Sequence, residues 1–212
     1  MLKFENTDVF NFENAIHGMR NPLSSWNKSD SHYDDMGFYE IGETDLKLAQ
    51  QLIRAGNEHR KFMRQIFVSV DITAPRYWWI EADTYKVGTV SNSCSTMHTI
   101  HKKPFINEDF SCEHLDTISL RCLEDTITTL NDLRNCYLSS QDKEYWYQII
   151  QMLPQSYLQK RTWTCSYENL LTICSAGQRR NHKLDEWKVD FMDWARSLPY
   201  AQELIFIDEV YG

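Results

Sequence analysis

The sequence predicts an α+β fold in a single domain spanning residues 1–212. Three observations carry that expectation. Residues 62–72 alternate apolar and polar side chains, as a half-buried strand does. Residues 115–137 and several shorter segments repeat apolar residues at helical spacing. The composition, 42% hydrophobic and 13% aromatic, is enough for one sizeable core.

Residues 1–44 read as a loop-rich segment of that domain. Asn21-Pro22 marks a turn, and Ser24, Ser25, Ser29 and Ser31 favour loop. Trp26, Tyr33, Phe38 and Tyr39 are expected to anchor it. Over residues 45–59, Leu46, Ala49, Leu52 and Ile53 share a helical face, with Thr44 as N-cap and Gly56 ending or bending the helix. In the strand that follows, Ile66, Val68, Val70 and Ile72 point one way and Gln65, Ser69 and Asp71 the other. Pro75 suits the first turn of a short helix carrying Arg76, Tyr77, Trp78 and Trp79. Gly88 and the Ser/Asn run over residues 91–96 suggest an irregular loop.

The long helix has an apolar stripe of Leu115, Ile118, Cys122, Leu123, Ile127, Leu130 and Leu133. A second helix over residues 145–153 is stopped by Pro154. Ser166 can cap a third that contains Leu170, Leu171, Ile173 and Cys174. Trp187, Phe191, Trp194 and Leu198 repeat at helical spacing and read as core.

The formal net charge is −8, and the basic clusters are short: Arg60-Lys61, Lys102-Lys103, Lys160-Arg161 and Arg179-Arg180. An extended nucleic-acid groove needs more clustered positive charge than this. A small anion such as a nucleotide phosphate does not. Six cysteines without CxxC spacing and no apolar leader point to free thiols in the cytoplasm. No segment is apolar enough over sufficient length to span a membrane. His98, His101, Cys112 and His114 match no zinc spacing, so no metal is expected. The stretch "APRYWWIEADTYKVGTVSNSCSTMH" joins an aromatic half to a hydroxyl- and amide-rich half. The aromatic half suits a core. The polar half suits a ligand loop, with Asn92 and Ser95 turned inward.

Five segments, in order, resemble the flavin-dependent thymidylate synthases, the ThyX family. "GNEHRKFMRQIFVSVDI" is similar to the family's Glu-His pair and strand, and "PRYWW" to its Arg-Gln-Trp helix. "SNSCSTMH" is similar to its Asn-Glu-x-Ser-x-Arg-Tyr loop. "LPQSYLQKRTWTCSYENLL" resembles its Leu-Pro, Arg, Trp-Thr segment, and "RRNHKLDEW" its terminal Arg and His run. Together they span residues 58–187.

The resemblance implies a central antiparallel sheet with surrounding helices. It implies a homotetramer with sites between subunits, and FAD lying against a pyrimidine nucleotide. The family moves a one-carbon unit from a reduced folate to dUMP, with hydride from the reduced flavin and NADPH as electron donor; the cofactor carries the chemistry. By position, Arg76, Tyr77, Asn92, Ser93, Ser95 and either Lys160 or Arg161 would bind the nucleotide. Arg179 or Arg180 would lie by the pyrimidine in the catalytic role. His59, Lys86, Ser166 and His182 would lie toward the cofactor.

The sequence also departs from the family. Where the family has Arg-His-Arg, only Lys86 is basic. Met97 stands where the family's last loop arginine falls. Glu168 replaces an arginine of the flavin-contacting Asn-Ala-Arg, which is expected to repel a cofactor phosphate. Two other functions therefore stand beside the enzyme: a nucleotide-binding protein without flavin, and a ligand-free interaction or inhibitor protein.

Overall fold

The computed structural model describes residues 1–211, with side chains through Glu209. The chain opens with β1 (Lys3–Phe10) and α1 (Phe12–Met19). Two 3-10 turns (Asn21–Leu23 and Trp26–Lys28) and the short strands β2 (His32–Tyr33) and β3 (Tyr39–Glu40) lead to α2 (Glu43–Arg54). A 3-10 turn (Lys61–Gln65), β4 (Phe67–Pro75), α3 (Arg76–Ala82), β5 (Val90–Ser93) and α4 (Thr96–Thr99) follow. Then come α5 (Thr117–Ser140), α6 (Lys143–Met152), β6 (Leu158–Ser166) and α7 (Tyr167–Ile173). A π-helical stretch (Glu186–Phe191), α8 (Met192–Arg196), α9 (Ala201–Leu204) and α10 (Ile207–Tyr211) complete the chain.

Four strands form one sheet in the order β1-β4-β6-β5, and β2 pairs with β3. The β4/β6 register is fixed by two backbone bonds. Tyr167 N–H donates to the Ile66 carbonyl at 3.0 Å, and Arg76 N–H donates to the Tyr157 carbonyl at 3.1 Å. Numbers rise along one strand as they fall along the other, so the pair is antiparallel. The chain falls into two compact units. The first holds Met1–Lys3, Ile72–Thr84 and Asn92–Thr162; the second holds Phe4–Asp71, Tyr85–Ser91 and Trp163–Gly212.

In the first unit, α5 and α6 enclose a core of Leu123, Ile127, Leu130, Ile149 and Leu153 with Ile100, Phe105 and Phe110. Asp116 and Asp142 cap the two helices by accepting from Ser119 N and Glu144 N. The expected stripe of α5 is corrected at its start. Leu115 precedes the helix and, with Ile118 and Cys122, is exposed. Only the turns from Leu123 onward meet that core.

In the second unit, Ile66, Val68 and Val70 are fully buried, as the alternation predicts. Ser166 caps α7 by accepting from Asn169 N. Trp187, Phe191, Trp194 and Leu198 are all buried, but Glu186–Phe191 is π-helical rather than regular α-helix.

The loop-rich reading of residues 1–44 is corrected in two ways. Residues 3–19 are strand and helix. Trp26, Tyr33 and Phe38 are exposed, and Trp26 and Tyr33 reach α1 only at the surface, through His17 and Glu13, so they do not supply a buried anchor. A buried carboxylate does. Asp45, on α2, accepts from Arg20 Nε, from the hydroxyls of Ser29 and Ser31 at 2.7 and 2.6 Å, and from the N–H groups of Asp30 and Ser31. The N-terminus of α2 is also not capped by Thr44. Asp30 accepts from the N–H groups of Thr44 and Asp45 at 2.8 and 3.0 Å. Gly42 lets the two segments meet, because a Cβ there would lie 2.5 Å from the Asp30 carbonyl carbon. The residues expected to form an irregular loop instead give β5, paired to β6 with every side chain exposed, and the short helix α4.

Burial alone raises the Asp45 pKa, but the bonds from Ser29, Ser31 and Arg20 outweigh it and hold the carboxyl below its ordinary value. The stabilisation is therefore present above the unfolded-state pKa and is lost as pH falls through the folded one. Asp45→Ala leaves Arg20 buried without its counter-charge and is expected to cost about 3–5 kcal/mol. Urea denaturation at neutral pH measures this loss. Repeated toward pH 3, it should show the gap to wild type shrinking.

Candidate functional site

The first unit contains a cavity of about 380 Å³, and three parts of the sequence build it. Helix α3 contributes Arg76 and Ile80. The run from β5 into α4 contributes Ser93, Ser95, Thr96 and Met97. Strand β6 contributes Gln159 and Arg161, and Ile150 closes the wall from α6. Successive residues of a strand face opposite sides. Gln159 and Arg161 therefore share the cavity face, and Lys160 takes the other. The phase of β6 decides between the two candidate cations.

Arg161 is held on three sides. Its guanidinium lies 4.3 Å from the centroid of the Trp79 ring. Its Nε donates to Gln159 Oε1 at 3.1 Å, and Nη1 donates to both carboxylate oxygens of Asp83 at 2.9 and 3.2 Å. Trp79 in turn donates its indole N–H to the Gln159 carbonyl at 2.9 Å. The Arg76 side chain, by contrast, has no hydrogen-bond or ion-pair partner among the described residues. With Asp83 balancing Arg161, Arg76 leaves the cavity one net positive charge.

Four of the seven predicted nucleotide residues line this cavity: Arg76, Ser93, Ser95 and Arg161. Ser95 also caps α4 by accepting from His98 N at 3.3 Å, and its hydroxyl hydrogen remains available as a donor. Tyr77 lies outside the cavity lining, with its phenol 3.3 Å from Ser111 Oγ. Asn92 is exposed on β5 and does not line the cavity, so its expected inward turn is not what the structure shows.

In the second unit, the turn that replaces the Arg-His-Arg triplet is pinned on both sides. The Tyr85 phenol accepts from Arg179 Nε at 3.0 Å, and the Arg179 guanidinium lies over the rings of Tyr85 and Trp187 at 5.4 and 5.0 Å. Asn169 Nδ2 donates to the Val87 carbonyl at 2.8 Å. Gly88 has φ +77°, and a Cβ there would sit 3.2 Å from Asn169 Oδ1. Lys86, just before the turn at Val87 and Gly88, is exposed.

The neighbouring Arg180 is committed elsewhere. It donates to the Cys174 carbonyl at 2.7 Å and pairs with Asp208 and Glu209 on α10 at 2.7 and 3.3 Å. The Ser166 hydroxyl and N–H both bond Asn169 Oδ1. His182 Nδ1 accepts from Leu184 N at 3.2 Å.

His59 lines a separate groove of about 1,040 Å³ in the second unit; Lys86, Ser166, Arg179, Arg180 and His182 do not. Lys28, Lys47 and Lys61 line the groove as well. Arg20 is also in the lining, and its Nη2 is buried without a hydrogen-bond partner. The groove has the volume for a cofactor, and the orphaned Arg20 donor and Lys28 suit an anionic group, while Lys61 is paired with Glu58, also in the lining, and Lys47 with Glu43.

Glu168 does not stand as a bare charge. It accepts from Arg60 Nε at 3.2 Å and from both Nε and Nη2 of Arg64. Burial raises its pKa, and the two guanidinium groups outweigh burial and lower it. The repulsion expected from this position is therefore neutralised within the second unit. In the sequence Arg60 stands out only as half of a short basic cluster, and Arg64 not at all. Their spacing carries no sign of a partner more than a hundred residues away. Among the described residues, no group of three or more His, Cys, Asp or Glu could hold a metal ion, and no helix is long and apolar enough to cross a membrane.

No family model and no curated protein matches the sequence. Solved structures do match the fold. The chain has the fold of the flavin-dependent thymidylate synthases, an α+β fold with an antiparallel sheet. It is similar to thymidylate synthase X from Helicobacter pylori, solved with FAD and dUMP, at TM-score 0.67 and 16% identity over 98% of both chains. It is also similar to the UMP/dUMP methylase PolB from Streptomyces cacaoi, bound with 5-Br UMP, at TM-score 0.63 and 12% identity over 98% of this chain and 94% of that one.

Glu168→Ala is expected to destabilise the protein by about 1–3 kcal/mol at pH 7, because it unpairs two arginines. The Glu168 carboxyl is held below its ordinary pKa, so its stabilisation is lost as pH falls through the folded value. Urea titrations at pH 7 and pH 3 should show the difference between wild type and variant narrowing at the lower pH.

Proposed function

We propose that the protein binds a pyrimidine nucleotide such as dUMP, with its phosphate on Arg76, and transfers a one-carbon unit to it. One observation carries this reading. The Arg76 side chain has no hydrogen-bond or ion-pair partner among the described residues, and it faces a cavity that also presents Ser93, Ser95 and the guanidinium of Arg161. Arginine forks and serine hydroxyls are the donors a phosphate needs, and the pair Arg161–Asp83 adds a rigid edge without excess charge. The similar folds solved with dUMP, or with a UMP analogue, support the choice of nucleotide.

FAD fits the second-unit groove, where His59, Lys28 and Arg20 would hold its anionic portion. Bound flavin supplies the hydride for this class of reaction. Either Arg179 or Arg180 would take the catalytic role beside the pyrimidine; Arg180 is committed to Asp208 and Glu209, and Arg179 to the Tyr85 phenol and the rings of Tyr85 and Trp187. The same reading makes the protein a cytoplasmic homotetramer that draws its one-carbon unit from a reduced folate and its electrons from NADPH. The loss of two of three triplet cations favours a second reading, a nucleotide-binding protein without flavin.

Calorimetric titration with dUMP separates the readings from their failure. Wild type should bind, and Arg76→Ala should weaken binding by about 2–5 kcal/mol while remaining folded. Unchanged binding by Arg76→Ala would remove the phosphate from this cavity. The visible spectrum after FAD loading then decides the chemistry. Retained flavin absorbance supports the enzyme, and its absence beside intact nucleotide binding supports the second reading.

A further inference from the structure

Gln159 holds the cavity together through three hydrogen bonds from one side chain. Its Oε1 accepts from Arg161 Nε at 3.1 Å. Its Nε2 donates to the Cys94 carbonyl at 3.1 Å and to Thr96 Oγ1 at 3.3 Å. Just past the end of β5, Cys94 N donates to the Lys160 carbonyl of β6 at 3.0 Å. Beyond that point, the Gln159 carboxamide is what ties the departing chain, with Ser95 and Thr96, back to the strand. The same group fixes one edge of Arg161.

We infer that Gln159 is the positioning residue of this site, setting Arg161 and the Ser93–Thr96 segment in the arrangement that receives the nucleotide phosphate. The inference rests on the nucleotide reading of the cavity. Gln159 acts through its neighbours, because its own donors and acceptor are already engaged.

The chemistry explains why glutamine stands here. The position needs an acceptor toward a guanidinium and a donor toward a carbonyl at the same time. A carboxamide offers both. A carboxylate would keep the Arg161 contact but would set an acceptor against the Cys94 carbonyl. An aliphatic side chain would lose all three bonds and leave Arg161 tied by Asp83 and Trp79 alone. Preorganised donors avoid an ordering cost at binding, so releasing them weakens affinity without removing any group that touches the ligand.

The test is calorimetric titration of the full chain with dUMP for wild type, Arg76→Ala, Gln159→Leu, Gln159→Glu, Arg161→Ala and the double variant Gln159→Leu/Arg161→Ala. Thermal melts check that each is folded. Gln159→Leu should weaken binding about tenfold or more. Gln159→Glu, which keeps the volume and the Arg161 contact, should fall between it and wild type. In the double variant the two losses should combine to clearly less than their sum, because one acts through the other. A purely structural role would lower the melting temperature and give additive losses. Wild-type affinity in a folded Gln159→Leu, or full additivity with Arg161→Ala, overturns the inference while Arg76→Ala still weakens binding. If wild type fails to bind dUMP, or Arg76→Ala binds as wild type does, the nucleotide reading itself is wrong and this inference falls with it.

Discussion

The guanidinium of Arg161, 4.3 Å over the centre of the Trp79 ring, is the contact on which the cavity of the first unit depends. Trp79 belongs to α3, Arg161 and Gln159 to β6, and Asp83 to the residue just past α3. A cation over an indole contributes about 0.5–2 kcal/mol, more as the pair loses water. Its geometric effect is larger than its energy. With the ring on one side and Gln159 and Asp83 bonded to it, the guanidinium is held in place without any ligand. The aromatic half of residues 74–98 thus serves the polar half. Trp79 fixes the strand that Gln159 uses to hold Ser95 and Thr96 in place.

Internal acids take up several of the basic residues the sequence offers. Asp45 pairs with Arg20, Glu168 with Arg60 and Arg64, Asp83 with Arg161, and Asp208 and Glu209 with Arg180. Each pair ties segments distant in sequence, and each reduces the charge available to a ligand. With a net charge of −8 this leaves no broad positive field, so the proposed anion would be met locally. Arg76 differs from these residues in facing a cavity with no acid paired to it.

Where local periodicity or chemistry decides, the sequence was readable. The alternation of Ile66, Val68 and Val70, the Ser166 cap and the buried Trp187, Phe191 and Trp194 all follow from spacing. The features that were not legible depend on distant partners. β5 reads as loop because all four of its side chains are exposed, and only pairing with β6 makes it a strand. Asp30 caps α2 from fourteen residues upstream, past a glycine whose role is close approach rather than flexibility. Of the residues that line the cavity, Arg76, Ser93 and Ser95 could be named from the order of the family-like segments, but the choice between Lys160 and Arg161 needed the phase of β6. Gln159 carried no signal at all, since a glutamine in a strand is unremarkable until its three partners are in place.

The central claim is that Arg76 receives the phosphate of a pyrimidine nucleotide in a wall set by Arg161 and Gln159. A crystal structure of the protein grown with dUMP tests it most directly. The nucleotide phosphate should lie within hydrogen-bond distance of the Arg76 guanidinium and the Ser93–Ser95 segment, with Arg161 still stacked on Trp79 and bonded to Gln159. A phosphate bound elsewhere, or an Arg76 side chain turned away from it, would contradict the claim.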